Sequence, residues 1–202
     1  MLSMTELTLH RRAVTAQLLR QRGDALVVTG LGSTTYDALA AGDHPLIFTL
    51  WGAMGSAAMI GLGLARAQPG RRVVVITGDG ELLMGLGSLA TIGAVKPANL
   101  ALVVIDNGLY AETGMQRSHT AMGVDLAAMA RGAGFISSET IRTQVALDTF
   151  ETKLHGAPGP FFAAIKVIQR PTPVTVPTTL DGTTLRARFR DALLGGDARP
   201  VR

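Results

Sequence analysis

Two polar tips close two long apolar runs: Gly78-Asp79-Gly80 follows residues 72–77 (RVVVIT), and Asp106-Asn107-Gly108 follows residues 100–105 (LALVVI). Asp79 and Asn107 are 28 positions apart. If the two runs are neighbouring strands of one parallel sheet, both tips point at one place. A carboxylate, an amide oxygen and a freed main-chain carbonyl are hard oxygen donors suited to Mg²⁺, which keeps water and phosphate oxygens in its other positions. The glycines let the backbone approach a diphosphate, and amides opening the following helix can donate to it. Two further segments, Gly30 to Thr34 and Gly52 to Gly55, are also rich in glycine. The sequence holds no G-x-S-x-G elbow and no G-x-x-x-x-G-K-[ST] loop, which excludes serine-hydrolase and P-loop chemistry. The G-x-G at Gly30 and Gly32 lacks the third glycine of a dinucleotide fingerprint.

The elements that must carry these turns alternate along the chain. Residues 5–22 read as an amphipathic helix and 25–29 (ALVVT) as a strand, with Ser33 and Thr34 as N-caps of a helix through Asp37 to Ala41. Residues 46–50 read as a strand and 56–67 as a helix apolar enough on all sides to be buried. Strands at 72–77 and 100–105 flank a single helix over 81–93, and both strands are β-branched in the manner of a parallel sheet covered on both faces. A loop over 109–124, a helix over 125–132, a strand over 135–141, a helix over 144–154 and a strand over 161–168 complete the pattern. Six strands alternating with helices predict a doubly wound, mainly parallel α/β sheet with helices on both faces. From residue 170 the texture turns to proline and then arginine, so 1–170 reads as the domain. Residues 171–202 read as an appendage expected to pack on a partner subunit, with its Leu185 to Leu194 stretch as one surface helix.

The 202 residues, 47% hydrophobic and 17% charged, are enough for one sizeable core. With no cysteine, thiolate metal sites and disulfides are excluded, and a reducing cytoplasm is the default. Apolar runs stop well short of the roughly 20 residues that a bilayer requires, and the first residues lack a signal-peptide core, which predicts a soluble protein without membrane contact. The formal net charge is +4, but the basic residues are spread along the chain, so a nucleic-acid partner is not expected.

The two tips resemble the diphosphate-binding domain of thiamine diphosphate enzymes, whose Gly-Asp-Gly is followed after just under thirty residues by Asn-Asn; here the doublet is Asp106-Asn107. The resemblance covers about residues 1–170 and implies thiamine diphosphate with Mg²⁺. Asp79, Asn107 and the carbonyl of Leu109 would be the metal ligands. Ser33, Gly78, the main chain of Gly80 and Glu81, Ala111 and Glu112 would lie on the cofactor. A second match, in the same order as in the family, is Trp51-Gly52-Ala53-Met54-Gly55. There Met54 would wedge between the two cofactor rings, and the Gly52 carbonyl would accept from the aminopyrimidine. Read alone, Asp79 is a helix N-cap and Met54 a core methionine. Glu112 reads equally as a solvated carboxylate or as a group that handles a proton beside substrate. Arg117 and His119 follow on the same loop, which in the family often orders over the bound cofactor.

Thiamine enzymes also use a glutamate from a separate pyrimidine-binding domain, and no acidic residue here lies in its motif. The resemblance therefore implies a second, alpha subunit supplying that glutamate, with α2β2 the expected assembly. Within the family, sulfopyruvate decarboxylase beta subunits and phosphonopyruvate decarboxylases are most similar, through Leu83-Met84-Gly85-Leu86-Gly87, Lys96-Pro97-Ala98-Asn99-Leu100 and Thr113-Gly114-Met115-Gln116. Where that subgroup has Ser-Thr-Gly-Gly-Gln, this chain has Glu112-Thr113-Gly114-Met115-Gln116, and a carboxylate there repels a dianionic sulfonate or phosphonate. The implied reaction is decarboxylation of a small 2-oxo acid to an aldehyde and CO₂. An acyloin-forming carboligase, of the acetolactate synthase kind, is the alternative within the class. A non-catalytic module binding a Mg²⁺-diphosphate or nucleotide is the alternative outside it, and a structural subunit that has lost catalysis is a further one.

Overall fold

A computed structural model describes residues 9–170 and 172–195. In chain order the elements are α1 (Arg11–Arg20), β1 (Leu26–Thr29), α2 (Ser33–Ala41), β2 (Ile47–Thr49), α3 (Ala57–Ala67), β3 (Val73–Gly78), α4 (Asp79–Met84) and α5 (Ser88–Val95). There follow β4 (Leu100–Asp106), β5 (Leu109–Tyr110), β6 (Gln116–Arg117), a 3₁₀ turn (His119–Met122), α6 (Leu126–Ala133), β7 (Ser137–Ile141), α7 (Gln144–Leu154), β8 (Phe161–Lys166) and α8 (Gly182–Leu194). Six strands form one sheet in the order β2-β1-β3-β4-β8-β7, and every neighbouring pair is parallel.

Both faces of that sheet are covered, and the strand pleat sorts the core into two layers. Leu26, Val28, Val73, Val75, Leu100 and Leu102 pack with α3, α5 and α6. Their alternates Val27, Val74, Ile76, Ala101 and Val103 pack with α1, α2 and α7. This two-sided burial explains why β1, β3 and β4 are continuously apolar up to their polar carboxyl ends rather than alternating. The chain leaves β1 towards β2 on one side and β3 towards β4 on the other, so the order reverses between β1 and β3. In open α/β sheets a ligand crevice opens at such a point, beyond the carboxyl ends of the strands.

Four local expectations are corrected. The single helix over 81–93 is two helices, broken at Gly85-Leu86-Gly87, because the main chain of Gly85 lies directly on that of Gly55; a Cβ at Gly85 would overlap the Gly55 carbonyl. Ser33 and Thr34 do not cap α2 from outside it. Gly32 takes the N-cap position at φ 69°, and the Thr34 hydroxyl donates backwards to the Gly30 carbonyl at 2.9 Å. The segment 109–124 is an antiparallel ribbon, β5 with β6, followed by the 3₁₀ turn. The helix expected over 5–22 is seen as Arg11–Arg20, and residues 5–8 lie outside those described. The C-terminal helix packs on β2 of its own chain: Phe189 tilts against Phe48 with centroids 5.5 Å apart. Arg188 pairs with Asp43 at 2.9 Å.

Candidate functional site

At the reversal between β1 and β3 lies a cavity of about 160 Å³. Its wall includes Ser33 and Thr34 from the start of α2, Met54 from the β2–α3 loop, and Gly78, Asp79, Gly80 and Glu81 from the end of β3. Asn107, Leu109, Ala111 and Glu112 close it from the β4 side. Of the residues singled out from sequence, Gly52 is not in this wall; it is exposed on the same loop. Arg117 and His119 are not in the wall either. Ordinary small-molecule pockets start at roughly 300 Å³, so this chain's cavity has the size of part of a site.

The acidic end is built in depth. Asp79 is 2% exposed. Its Oδ2 accepts from Ser118, a close contact, and from Thr120 at 3.1 Å, leaving Oδ1 without a side-chain partner. The Thr120 hydroxyl also reaches Asp106 at 2.7 Å. Asp106 is held in turn by the Gly108 amide at 3.1 Å and by Lys166 at 2.5 Å. Burial pushes the Asp79 carboxyl above its usual range and the neighbouring Asp106 adds to this, while Ser118 and Thr120 pull it back. Asn107 is oriented on both sides: its Oδ1 accepts from the Leu109 amide at 2.9 Å, and its Nδ2 donates to Gln169 at 2.8 Å. Among the described residues no cluster of three or more His, Asp or Glu forms a metal site. The donor set here is one carboxylate with neutral amide and carbonyl oxygens, a chemistry that suits a hydrated Mg²⁺ shared with a phosphate.

Glu81 departs from expectation in one respect. Glu81 is 4% exposed, and its carboxylate fills the space where a Cβ at Gly30 would sit, so any side chain at position 30 requires Glu81 to move. Burial pushes its carboxyl above the usual carboxylate range, opposed by the Thr77 hydroxyl and the amides of Leu31, Ala57 and Gly55 around it. None of these donors closes to a hydrogen bond of ordinary geometry, so among the described residues both Glu81 oxygens and Thr77 Oγ1 are without a partner. Beside the cavity, Ala53 and Met115 both hold left-handed backbone, at φ 59° and 64°, and Met54 and Met115 are largely exposed.

Spacing did not reveal several members of the site. Arg11 of α1 is in the wall, and nothing in its sequence surroundings marks it. Ser118 and Thr120, which hold Asp79, arrive through the β5–β6 ribbon; their polar types inside an otherwise unassigned loop were the only signal.

A family profile described as "Thiamine pyrophosphate enzyme, C-terminal TPP binding domain" matches residues 30–165. The sulfopyruvate decarboxylase subunit beta of Methanothermobacter thermautotrophicus is 41% identical over 167 residues, covering 82% of this chain and 85% of that protein. The phosphonopyruvate decarboxylase of Streptomyces viridochromogenes is 47% identical over 112 residues, covering 55% of this chain and 28% of that longer protein. Among solved structures, a putative thiamin diphosphate-dependent enzyme from Mycobacterium smegmatis superposes with a TM-score of 0.69 at 24% identity, over 80% of this chain and 32% of that one. With the two turns of the motif meeting in one crevice and the profile spanning most of the sheet, this chain belongs to the thiamine pyrophosphate enzymes, as their C-terminal cofactor-binding domain.

Proposed function

We propose that this chain is the diphosphate-binding, beta subunit of a two-subunit, Mg²⁺-dependent decarboxylase that converts a small 2-oxo acid to an aldehyde and CO₂. The observation that carries the reading is the convergence of Met54, Asp79, Asn107 and Leu109 on one cavity, with relatives named as decarboxylases on either side of the comparison. Thiamine diphosphate, when bound, would supply an electron-accepting ring for the pair of the carbon–carbon bond that breaks as CO₂ departs.

The chain's own groups do the holding. Asp79, Asn107 and the Leu109 carbonyl take Mg²⁺. Ser33, Gly78, Ala111 and the main chain of Gly80, Glu81 and Glu112 take the phosphate end. Met54 would pack against the cofactor rings, and Gly52 would offer its carbonyl from the adjoining loop. Glu112, in the cavity wall, is the group of this chain that delivers or holds a proton near substrate. The partial size of the cavity supports an active site completed by a pyrimidine-binding alpha subunit that brings the activating glutamate, in an α2β2 assembly. Among the described residues no helix is long and apolar enough to cross a membrane, and the cysteine-free sequence supports a cytoplasmic location.

Native mass spectrometry of the complex drawn from its own cells through a tag on this chain is the test. A second subunit of similar size retained with thiamine diphosphate and Mg²⁺ is the expected result. Self-association of this chain with neither cofactor nor partner would overturn the reading. In the reconstituted complex, Asp79→Asn should abolish Mg²⁺-dependent turnover.

A further inference from the structure

Three acidic residues, Asp79, Glu81 and Glu112, are in the cavity wall, and among the described residues Arg11 is the one basic residue there. An anion entering beside so many carboxylates requires positive charge near it. Arg11 opens α1, and its side chain is only 9% exposed. Nη1 donates to the Ser33 carbonyl at 3.1 Å and to Asp37 Oδ2 at 2.6 Å. The other edge of the guanidinium is unused among the described residues: Nε is buried without a partner, and the hydrogen bonds of the side chain all run through Nη1. Nε and Nη2 form the side-on fork of an arginine, whose two parallel N–H groups match two oxygens of a phosphate or carboxylate.

The charge balance agrees with that edge. Asp37 is 1% exposed and is shared, its Oδ1 accepting from Arg12 Nε at 3.0 Å. One carboxylate faces two guanidiniums, so the cluster carries a surplus positive charge behind the α2 turn. A contact built only to hold α1 on α2 would be neutral and would spend all its donors.

We propose that Arg11 is an anion-binding residue of this cavity, taking two oxygens of a phosphate or carboxylate group on Nε and Nη2. The identity of the ligand rests on the thiamine diphosphate reading; the anion chemistry does not. The group could come from the diphosphate of the cofactor or from the carboxylate of the 2-oxo acid, and binding measurements separate the two.

The probes are inorganic pyrophosphate with Mg²⁺, thiamine diphosphate with Mg²⁺, and thiamine, titrated calorimetrically into the full chain in its native complex. Two variants are compared with wild type. Arg11→Lys keeps a charge for Asp37 but loses the fork. The double variant Arg11→Met with Asp37→Asn removes both charges and strands no carboxylate, and a thermal melt establishes that it is folded. If the anion is the diphosphate, both variants weaken pyrophosphate and thiamine diphosphate together, by about ten-fold in the double variant, and leave thiamine unchanged. If it is the substrate carboxylate, cofactor affinity holds and KM rises by about ten-fold with kcat retained. Affinities and KM all within about two-fold of wild type in the folded double variant would overturn the assignment, as would a wild-type complex that binds neither pyrophosphate nor thiamine diphosphate. Pyrophosphate binding that depends on Arg11, with thiamine diphosphate held no more tightly, would leave Arg11 assigned and defeat the thiamine reading instead.

Discussion

Replacing Lys166 by Met tests the buried layer under Asp79. Lys166 pairs with Asp106 at 2.5 Å, and the two side chains are 17% and 2% exposed. Removing the ammonium leaves Asp106 buried with the Thr120 hydroxyl and the Gly108 amide as its donors, and with the Asp79 carboxylate as a close neighbour. Breaking a buried pair from one side costs about 3–5 kcal/mol, because the stranded charge has lost water and gained nothing. The reverse change, Asp106→Asn, strands Lys166, but a long side chain already 17% exposed can turn its head to solvent. Its cost should be roughly 1–2 kcal/mol, near that of a lost hydrogen bond to a charged group. Urea denaturation of wild type, both single variants and the double variant closes a thermodynamic cycle, and Lys166→Met should be the worst of the three. At this chain length its melting point should fall by about 10 °C. Equal losses in the two single variants, or a loss under about 1 kcal/mol for Lys166→Met, would mean that solvent already reaches the pair, and the inward layer would have to be abandoned.

Three further outcomes are expected. Gly30→Ala puts a Cβ where the Glu81 carboxylate lies and should cost about 1–3 kcal/mol in chemical denaturation, with part of that recovered in Gly30→Ala/Glu81→Ala; an unaffected midpoint would show that Glu81 moves freely. Met115 holds φ 64°, a strain of about 1–2 kcal/mol for a side-chain-bearing residue. Met115→Gly should therefore raise stability slightly, by about 0.5–1 kcal/mol once the added freedom of the unfolded glycine is subtracted, and a lower melting point would show that the Met115 side chain contributes contacts of its own. His155 is held below its ordinary value of 6.5, chiefly by burial, so the folded chain binds fewer protons there than the unfolded one. Its contribution is complete above 6.5 and is lost as pH falls through the lower folded value. Melting points recorded across that interval should decline in wild type and decline less in His155→Gln.

The site was legible in the sequence wherever it depends on adjacency in the sheet. Gly78-Asp79-Gly80 and Asp106-Asn107 end two runs that pair with each other from Val73 and Leu100 onward, so their separation along the chain translated directly into proximity. What depends on packing between non-adjacent elements did not show. Arg11 reaches the cavity because α1 lies on α2, a contact across 22 and 26 positions that no local pattern encodes. Glu81 sits beside the expected metal ligand, yet its side chain turns under Gly30 because that glycine leaves the room. Ser33 and Thr34 are good capping types, but Gly32 at a positive φ starts the helix first. The helix break at Gly85 required knowing that Gly55 would lie against it.

The order of the sheet also sets a timetable. β4 carries Asp106 and is adjacent to Asn107, yet its far edge is completed by β8, which ends at Lys166, about sixty residues downstream. At ordinary synthesis rates of about 5–20 residues per second, β4 waits some 3–12 s with one row of amides and carbonyls unpaired. During that interval its seven-residue stretch Leu100–Asp106, fully apolar until its last residue, is a template for pairing with another nascent chain. Chaperone cover, or a lower expression level that leaves fewer nascent chains to meet, should raise the soluble yield of this chain more than any stabilisation of the finished fold would.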